Sequence, residues 1–241
     1  MKESSTGSLM QSTIADLGLH LDERQFMKLV AYSELLWQGL SWLRIVGEKS
    51  IESLIRKQIY DSLFLLTKME FKPCSRIVDL GSGGGLPGVP LAICREDHRF
   101  CLLDANRRKV SFMEEILKVL RLKNVEVICG RAEYFGRNAE YRERFNYVLS
   151  KAVARMPVLV ELALPLADLG GEIVFYKGSG WKEELMTSQK ALELCGGALV
   201  GCWEYSLASG EKRSLINIKK VKPTPDQYPR SDGKPAKKPL C

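Results

Sequence analysis

The sequence predicts an α/β protein built on a doubly wound, mostly parallel sheet that an antiparallel hairpin closes. Three observations predict it. From Pro73 onward, short apolar runs alternate with segments of helical periodicity. A glycine-rich loop, with five glycines between positions 81 and 88, directly follows the first of those runs. Two extended runs around Ser209-Gly210 end the alternation.

Before Pro73 the pattern is helical. Phe26, Leu29, Val30, Ser33, Leu36, Trp37 and Leu40 form one face of a helix over 22–40, with Asp22 and Gln25 placed as a cap and its partner. Ile51, Leu54, Ile55, Ile59, Leu63 and Leu66 mark a second helix over 50–69. Gln58 and Ser62 share that stripe, which places them either at a packed helix end or in a cleft. Residues 76–80 (RIVDL) then read as a buried strand, and 87–95 as a helix with Pro87 and Pro90 near its first turn. A strand over 100–104 and a strong helix over 106–122 follow. Strands over 125–130 and 145–153, a helix over 157–167, a strand over 171–178 and a helix over 181–195 come next. Runs 198–207 and 214–221 make the hairpin. Residues 222–241, rich in Pro and Lys, read as an extended tail with little to bury. The chain thus divides into a helical extension (1–72), a core (73–221) and a basic tail (222–241).

Composition narrows the function classes. No apolar run reaches the roughly 18–20 residues that cross a bilayer, and the polar start MKESSTGSLMQST has no apolar signal core. The expectation is a cytoplasmic protein without a membrane partner. Seven scattered cysteines form no CxxC pair, and there are only two histidines, His20 and His98. That pattern argues against a multi-histidine metal site or a histidine-centred triad, so no metal is expected. The net charge of +7 is concentrated at the end: from Lys219 on there are seven basic residues and two acidic ones. Such a tail suits a polyanion partner or simply keeps the chain in solution.

Two glycine registers compete in the loop. Gly83, Gly85 and Gly88 match the dinucleotide fingerprint G-x-G-x-x-G; Gly81, Gly83 and Gly85 match G-x-G-x-G, a pattern of S-adenosylmethionine (SAM) enzymes. The strand ends at Leu80, which makes Gly81 the first functional glycine. Asp79 is placed to accept a hydrogen bond from an ammonium and would repel a pyrophosphate. Pro87 removes an amide donor that a phosphate would use. Asp104, at the end of the second strand, can take both ribose hydroxyls of an adenosine. Gly130-Arg131-Ala132-Glu133 ends the third strand where an adenine edge would meet the backbone. These placements favour SAM over NAD.

The stretch VDLGSGGGLPGVPLAI closely resembles the RsmG (GidB) methyltransferases, as do LLDANRRKVSFMEEILKVLRLKNVEVICGRAEYF, YVLSKAVARMPVLVELALPL and the ending YPRSDGKPAKKPL. The resemblance implies a Rossmann-like class I SAM-dependent methyltransferase fold with an N-terminal helical extension. It implies methylation of N7 of a guanosine in the decoding-region loop of 16S rRNA, on the RNA or in the small ribosomal subunit, by a monomer. Family SAM contacts fall by motif on Gly81, Leu86, Ala132 and Glu133. The family arginine at the end of the fourth strand is Lys151 here, a residue that positions substrate or cofactor. The candidate cofactor set is therefore Asp79, Gly81, Gly83, Gly85, Leu86, Asp104, Ala132, Glu133 and Lys151. Arg107, Arg108, Lys109, Arg155, Arg230, Lys237 and Lys238 are the candidate RNA contacts. Two stretches depart from the family pattern: Trp37-Gln38-Gly39-Leu40-Ser41-Trp42-Leu43-Arg44 and Lys57-Gln58-Ile59-Tyr60-Asp61-Ser62. They keep two alternatives open: a SAM methyltransferase with a different RNA or small-molecule substrate, or a non-catalytic SAM- and rRNA-binding assembly factor.

Overall fold

The alternation of strands and helices forms a seven-stranded sheet in the order β3-β2-β1-β4-β5-β7-β6. The computed structural model describes residues 5–43 and 47–241, without the side chains of 41–43. Trp42 and Arg44, noted above as departures, therefore lie outside what is described for side chains.

The strands are β1 (Arg76–Leu80), β2 (Arg99–Asp104), β3 (Val125–Cys129), β4 (Phe145–Lys151), β5 (Ala167–Gly178), β6 (Gly197–Ser206) and β7 (Lys212–Lys220). The first five are parallel; β7 runs antiparallel to β5 and β6. Strand order reverses at β1 and β4, so their carboxyl ends open a crevice.

Three helical segments precede the sheet. α1 (Ser5–Asp16) buries Met10 and Ile14; its polar sequence gave little sign of a helix. α2 (Glu23–Leu43) has the expected capping box, with Asp22 Oδ1 accepting from Gln25 N at 2.7 Å and Gln25 Oε1 from Asp22 N at 3.1 Å. The next helix is α-helical at α3 (Ile51–Ser53) and α4 (Tyr60–Phe64), with a π-helical turn over Leu54–Ile59 between them. A 3₁₀ turn over Leu65–Thr67 ends it.

The remaining helices are α5 (Gly88–Cys94), α6 (Arg107–Leu120), α7 (Ala132–Phe135), α8 (Met156–Ala163), α9 (Trp181–Met186), α10 (Gln189–Cys195) and α11 (Lys234–Lys237). Two depart from expectation for local reasons. Helix 157–167 stops at Ala163 because Pro165 has no N–H to continue the ladder, and β5 starts at Ala167. Helix 181–195 breaks at Thr187-Ser188, whose hydroxyls donate to the Glu184 carbonyl at 2.9 and 2.6 Å.

Period-two alternation sends β1 side chains to two cores. Ile77, with Phe100, Leu102, Tyr147 and Leu149, meets α2, α4, α5 and α6. Val78 and Leu80, with Cys101, Leu103, Val148 and Phe175, meet α8 and α10. The helical extension is thus part of the first core.

The tail corrects an expectation. It buries Thr224, Tyr228 and Pro229. Arg142 donates to the carbonyls of Thr224, Pro225 and Tyr228. Arg230 is a second anchor, and its partner Glu161 in α8 is fully buried. Composition hid this because the docking uses backbone carbonyls and three arginines, Arg137, Arg142 and Arg230, rather than an apolar stripe.

Candidate functional site

A cavity of about 390 Å³ opens at the carboxyl ends of β1, β2, β3 and β4. Gly81, Asp104, Ala132 and Glu133 line it, as does Lys109. Gly81 has φ +76°, and a Cβ there would stand 2.4 Å from Val153 Cγ2, so the wall tolerates only glycine without a shift. Asp104 holds the loop in shape: Oδ2 accepts from Gly83 N at 2.9 Å and Oδ1 from Asn106 N at 2.8 Å. Asn106 in turn caps α6 by accepting from Arg108 N and Lys109 N. A carboxylate has about four acceptor positions, so Asp104 keeps capacity for a diol.

Glu133 is 3% exposed and takes Arg131 Nη2 at 2.8 Å and Gly233 N at 2.9 Å. Burial pushes its carboxyl up, but those hydrogen bonds outweigh burial and hold it below the usual carboxylate range. Gly233 precedes α11, and Ala236 of α11 lines the same cavity. The tail is therefore a wall of the site, which the sequence did not suggest.

Residues 25–213 match the family model described as GidB, rRNA small subunit methyltransferase G. The chain belongs to that family. It is 37% identical over 233 residues to Ribosomal RNA small subunit methyltransferase G of Moorella thermoacetica, covering 96% of this chain and 97% of that one. It is 38% identical over 228 residues to the protein of the same name from Lachnoclostridium phytofermentans, covering 94% of each. Among solved structures, M. jannaschii TYW2 in complex with AdoMet is similar in fold, with a TM-score of 0.54 at 16% identity over 72% of this chain and 77% of that one. The fold is that of class I SAM-dependent methyltransferases.

In this rRNA small subunit methyltransferase G family member, four of the nine candidate cofactor residues line the cavity. Gly83, Gly85 and Leu86 shape the loop from behind. A Cβ at Gly85 would meet Val89 Cγ2 at 2.5 Å, Leu86 is buried, and the Tyr32 hydroxyl of α2 donates to the Gly84 carbonyl at 2.9 Å. Asp79 shares the face of Ile77 and lies beneath the loop rather than in the cavity. Its Oδ2 accepts from Gly88 N at 2.8 Å, while Oδ1 is buried without a partner.

Burial raises the Asp79 carboxyl to about 7, with Gly88 N–H and the Lys151 charge opposing. The unfolded carboxyl titrates near 3.8. Between those values the folded chain holds a proton that the unfolded chain has lost, so this group's contribution to stability falls as pH rises through that window. Asp79→Asn should remove that dependence. Its melting temperature relative to the parent should climb from pH 4 to pH 8, and a difference independent of pH would refute the assignment.

Lys151 also turns to the extension side, like Tyr147 and Leu149 before it. Its Nζ lies 2.8 Å from Asp61 Oδ2 and 3.3 Å from the Gln58 carbonyl, and over the Tyr176 ring. It lines a neighbouring cavity with Gln58 and Asp61, apart from the four cofactor candidates that line the first. Period-two alternation along β4 carried that signal, and so did the polar positions Gln58 and Ser62 on an apolar helix stripe.

The basic residues divide. Arg107, Arg108, Arg155, Lys237 and Lys238 are exposed, and Lys109 is half-buried at the cavity. Arg230 is a structural anchor: Nε and Nη2 donate to Glu161 Oε1 and Oε2 at 2.8 and 2.6 Å, and its own N–H adds a third bond. Neither histidine is near the cavity. His98 is buried before β2, at the amino end of the sheet, where Nδ1 accepts from Ser75 N; His20 is exposed between α1 and α2. A larger cavity, about 880 Å³, lies between α1 and the start of α2 and touches no strand.

Proposed function

We propose that this chain transfers the methyl group of SAM to N7 of a guanosine in the decoding-region loop of 16S rRNA, acting as a monomer on the RNA or the small ribosomal subunit. The observation that carries the reading is the cavity at the strand ends, with a wall that excludes a Cβ at Gly81 and a carboxylate at Asp104, in a chain of this family. Gly81 admits close approach of a ligand to the backbone. Asp104 suits a ribose diol, and the backbone of Ala132 and Glu133 suits an adenine edge.

SAM supplies an electrophilic methyl group. Guanine N7 attacks with its own lone pair and no proton leaves, so no general base is needed. That agrees with two histidines placed away from the cavity. The chain's contribution is to hold the base in line and to exclude water. Exposed Arg107, Arg108, Arg155, Lys237 and Lys238 offer phosphate contacts around the mouth. Lys237→Glu with Lys238→Glu should weaken rRNA binding and flatten its salt dependence, measured by filter binding across salt concentrations; an unchanged slope removes the tail lysines from the interface. Truncation at Val221 is a poorer test, because it also strips the Arg230 anchor.

The test of the function is incubation with radiolabelled SAM and 16S rRNA, naked or in small subunits from a strain lacking the family enzyme. Label at guanine N7, mapped by strand scission at the methylated base, supports the proposal. Label elsewhere points to another RNA position, and SAM binding without transfer points to an assembly factor.

A further inference from the structure

A second cavity, about 250 Å³, adjoins the first at Ala152, which lines both. Ala152 has φ +57°, a left-handed conformation unusual for alanine, and it directly follows β4, between Lys151, which lines the second cavity, and Val153, which lines the first. The helical extension supplies the second cavity's other wall through Gln58 and Asp61.

We propose that this cavity receives the target guanine and that the Lys151–Asp61 pair reads its O6 and N1–H edge. The inference rests on the methyl-transfer reading above. An ammonium donor and a carboxylate acceptor stand side by side, 2.8 Å apart. Guanine presents the complement, an O6 acceptor next to an N1–H donor. Adenine presents the reverse, an N6 donor next to an N1 acceptor, so both contacts turn repulsive or are lost. On the purine, O6 lies between N1 and N7. A base held through N1 and O6 keeps N7 free for the neighbouring cavity.

The pair is preorganised from both ends. Asp61 is 3% exposed and accepts the Tyr205 hydroxyl, whose ring stacks on Phe64 at 3.7 Å. Lys151 donates to the Gln58 carbonyl, which lies in the π-helical turn and also takes the Ser62 hydroxyl. π-helical turns displace backbone groups from the ordinary ladder and recur at functional sites. Tyr176, on the neighbouring strand, donates to the Ser62 carbonyl at 3.1 Å and closes the frame.

Charge also favours the assignment. A lone lysine at O6 would draw electron density from N7 and add positive charge beside a sulfonium. The lysine–carboxylate pair is neutral, and the two other cations that line the cavity are paired as well, Lys177 with Glu184 and Arg213 with Glu211. As the methyl carbon bonds to N7 and its bond to sulfur breaks, the positive charge passes from sulfur to the purine. N1–H becomes more acidic, and its bond to Asp61 strengthens in the transition state rather than in the ground state.

The experiment uses the full chain and 16S rRNA ligated so that the target position carries guanosine, inosine, 1-methylguanosine or 2-aminopurine. Inosine keeps O6 and N1–H and should be methylated within about threefold of guanosine. 1-Methylguanosine lacks N1–H, and 2-aminopurine lacks both features; each should lose about 100-fold or more in kcat/KM. Asp61→Asn should narrow the guanosine to 2-aminopurine ratio by about tenfold or more, a ratio that partial unfolding does not alter. Equal rates on guanosine and 1-methylguanosine, or an unchanged ratio in Asp61→Asn, overturn this inference alone. No transfer to guanosine in any arm overturns the functional reading and this inference with it.

Discussion

Arg230→Ala is expected to cost the fold about 3–5 kcal/mol, the usual penalty for stranding a buried charge. Glu161 is fully buried in α8, and Arg230 supplies three of its hydrogen bonds, two from the guanidinium and one from the backbone. The loss should spread to the cofactor. The tail continues from Arg230 to Gly233, whose N–H holds Glu133, and to Ala236 in the cavity wall. Chemical denaturation reads the stability change, and calorimetric titration with SAM reads a fall in affinity of about tenfold or more. Glu161→Leu with Arg230→Met replaces the pair with apolar groups of similar volume and should recover most of the stability. An Arg230→Ala chain as stable as the parent would show that Glu161 finds another partner, and the anchor assignment would fall.

Gly81→Ala is expected to lower SAM affinity about 100-fold while leaving the chain folded. Two costs combine. The positive φ of 76° disfavours any side chain, by about 1–2 kcal/mol for alanine. The new Cβ would also stand 2.4 Å from Val153 Cγ2, so either Val153 or the loop must move at the cavity wall. Gly81→Ala with Val153→Ala separates the two: it relieves the contact and leaves the dihedral cost, so affinity should recover in part. Full affinity in the single variant would remove Gly81 from the ligand's wall. Gly88→Ala provides a contrast. Its Cβ would meet Leu102 Cδ2 at 2.4 Å and Asp79 Oδ2 at 2.9 Å inside the core, so it should lower stability before it affects binding.

Much of the fold was legible because periodicity is local. RIVDL is β1 to the residue, and the hairpin falls around Ser209-Gly210 as expected. Of the three glycines in the register that starts at Gly81, Gly81 lines the cavity and Gly83 and Gly85 do not. Asp104, Ala132 and Glu133 converge there because successive parallel strands end at the same edge of the sheet. α1 was missed because few apolar residues carry it, and the tail because arginine-to-carbonyl docking leaves no mark in hydropathy.

Sequence alone determined the sheet class, the position of the glycine loop and the family resemblance, since each depends on neighbours a few residues apart. Tertiary structure decided the direction of Asp79 and Lys151, the partner of Arg230 and the closing of the cavity by the tail. Those outcomes depend on groups far apart in the chain. Lys151 meets Asp61 from the helical extension, and Arg230 meets Glu161 across 69 positions. A charged side chain takes its role from the partner that burial brings to it, and composition does not record which partner that is.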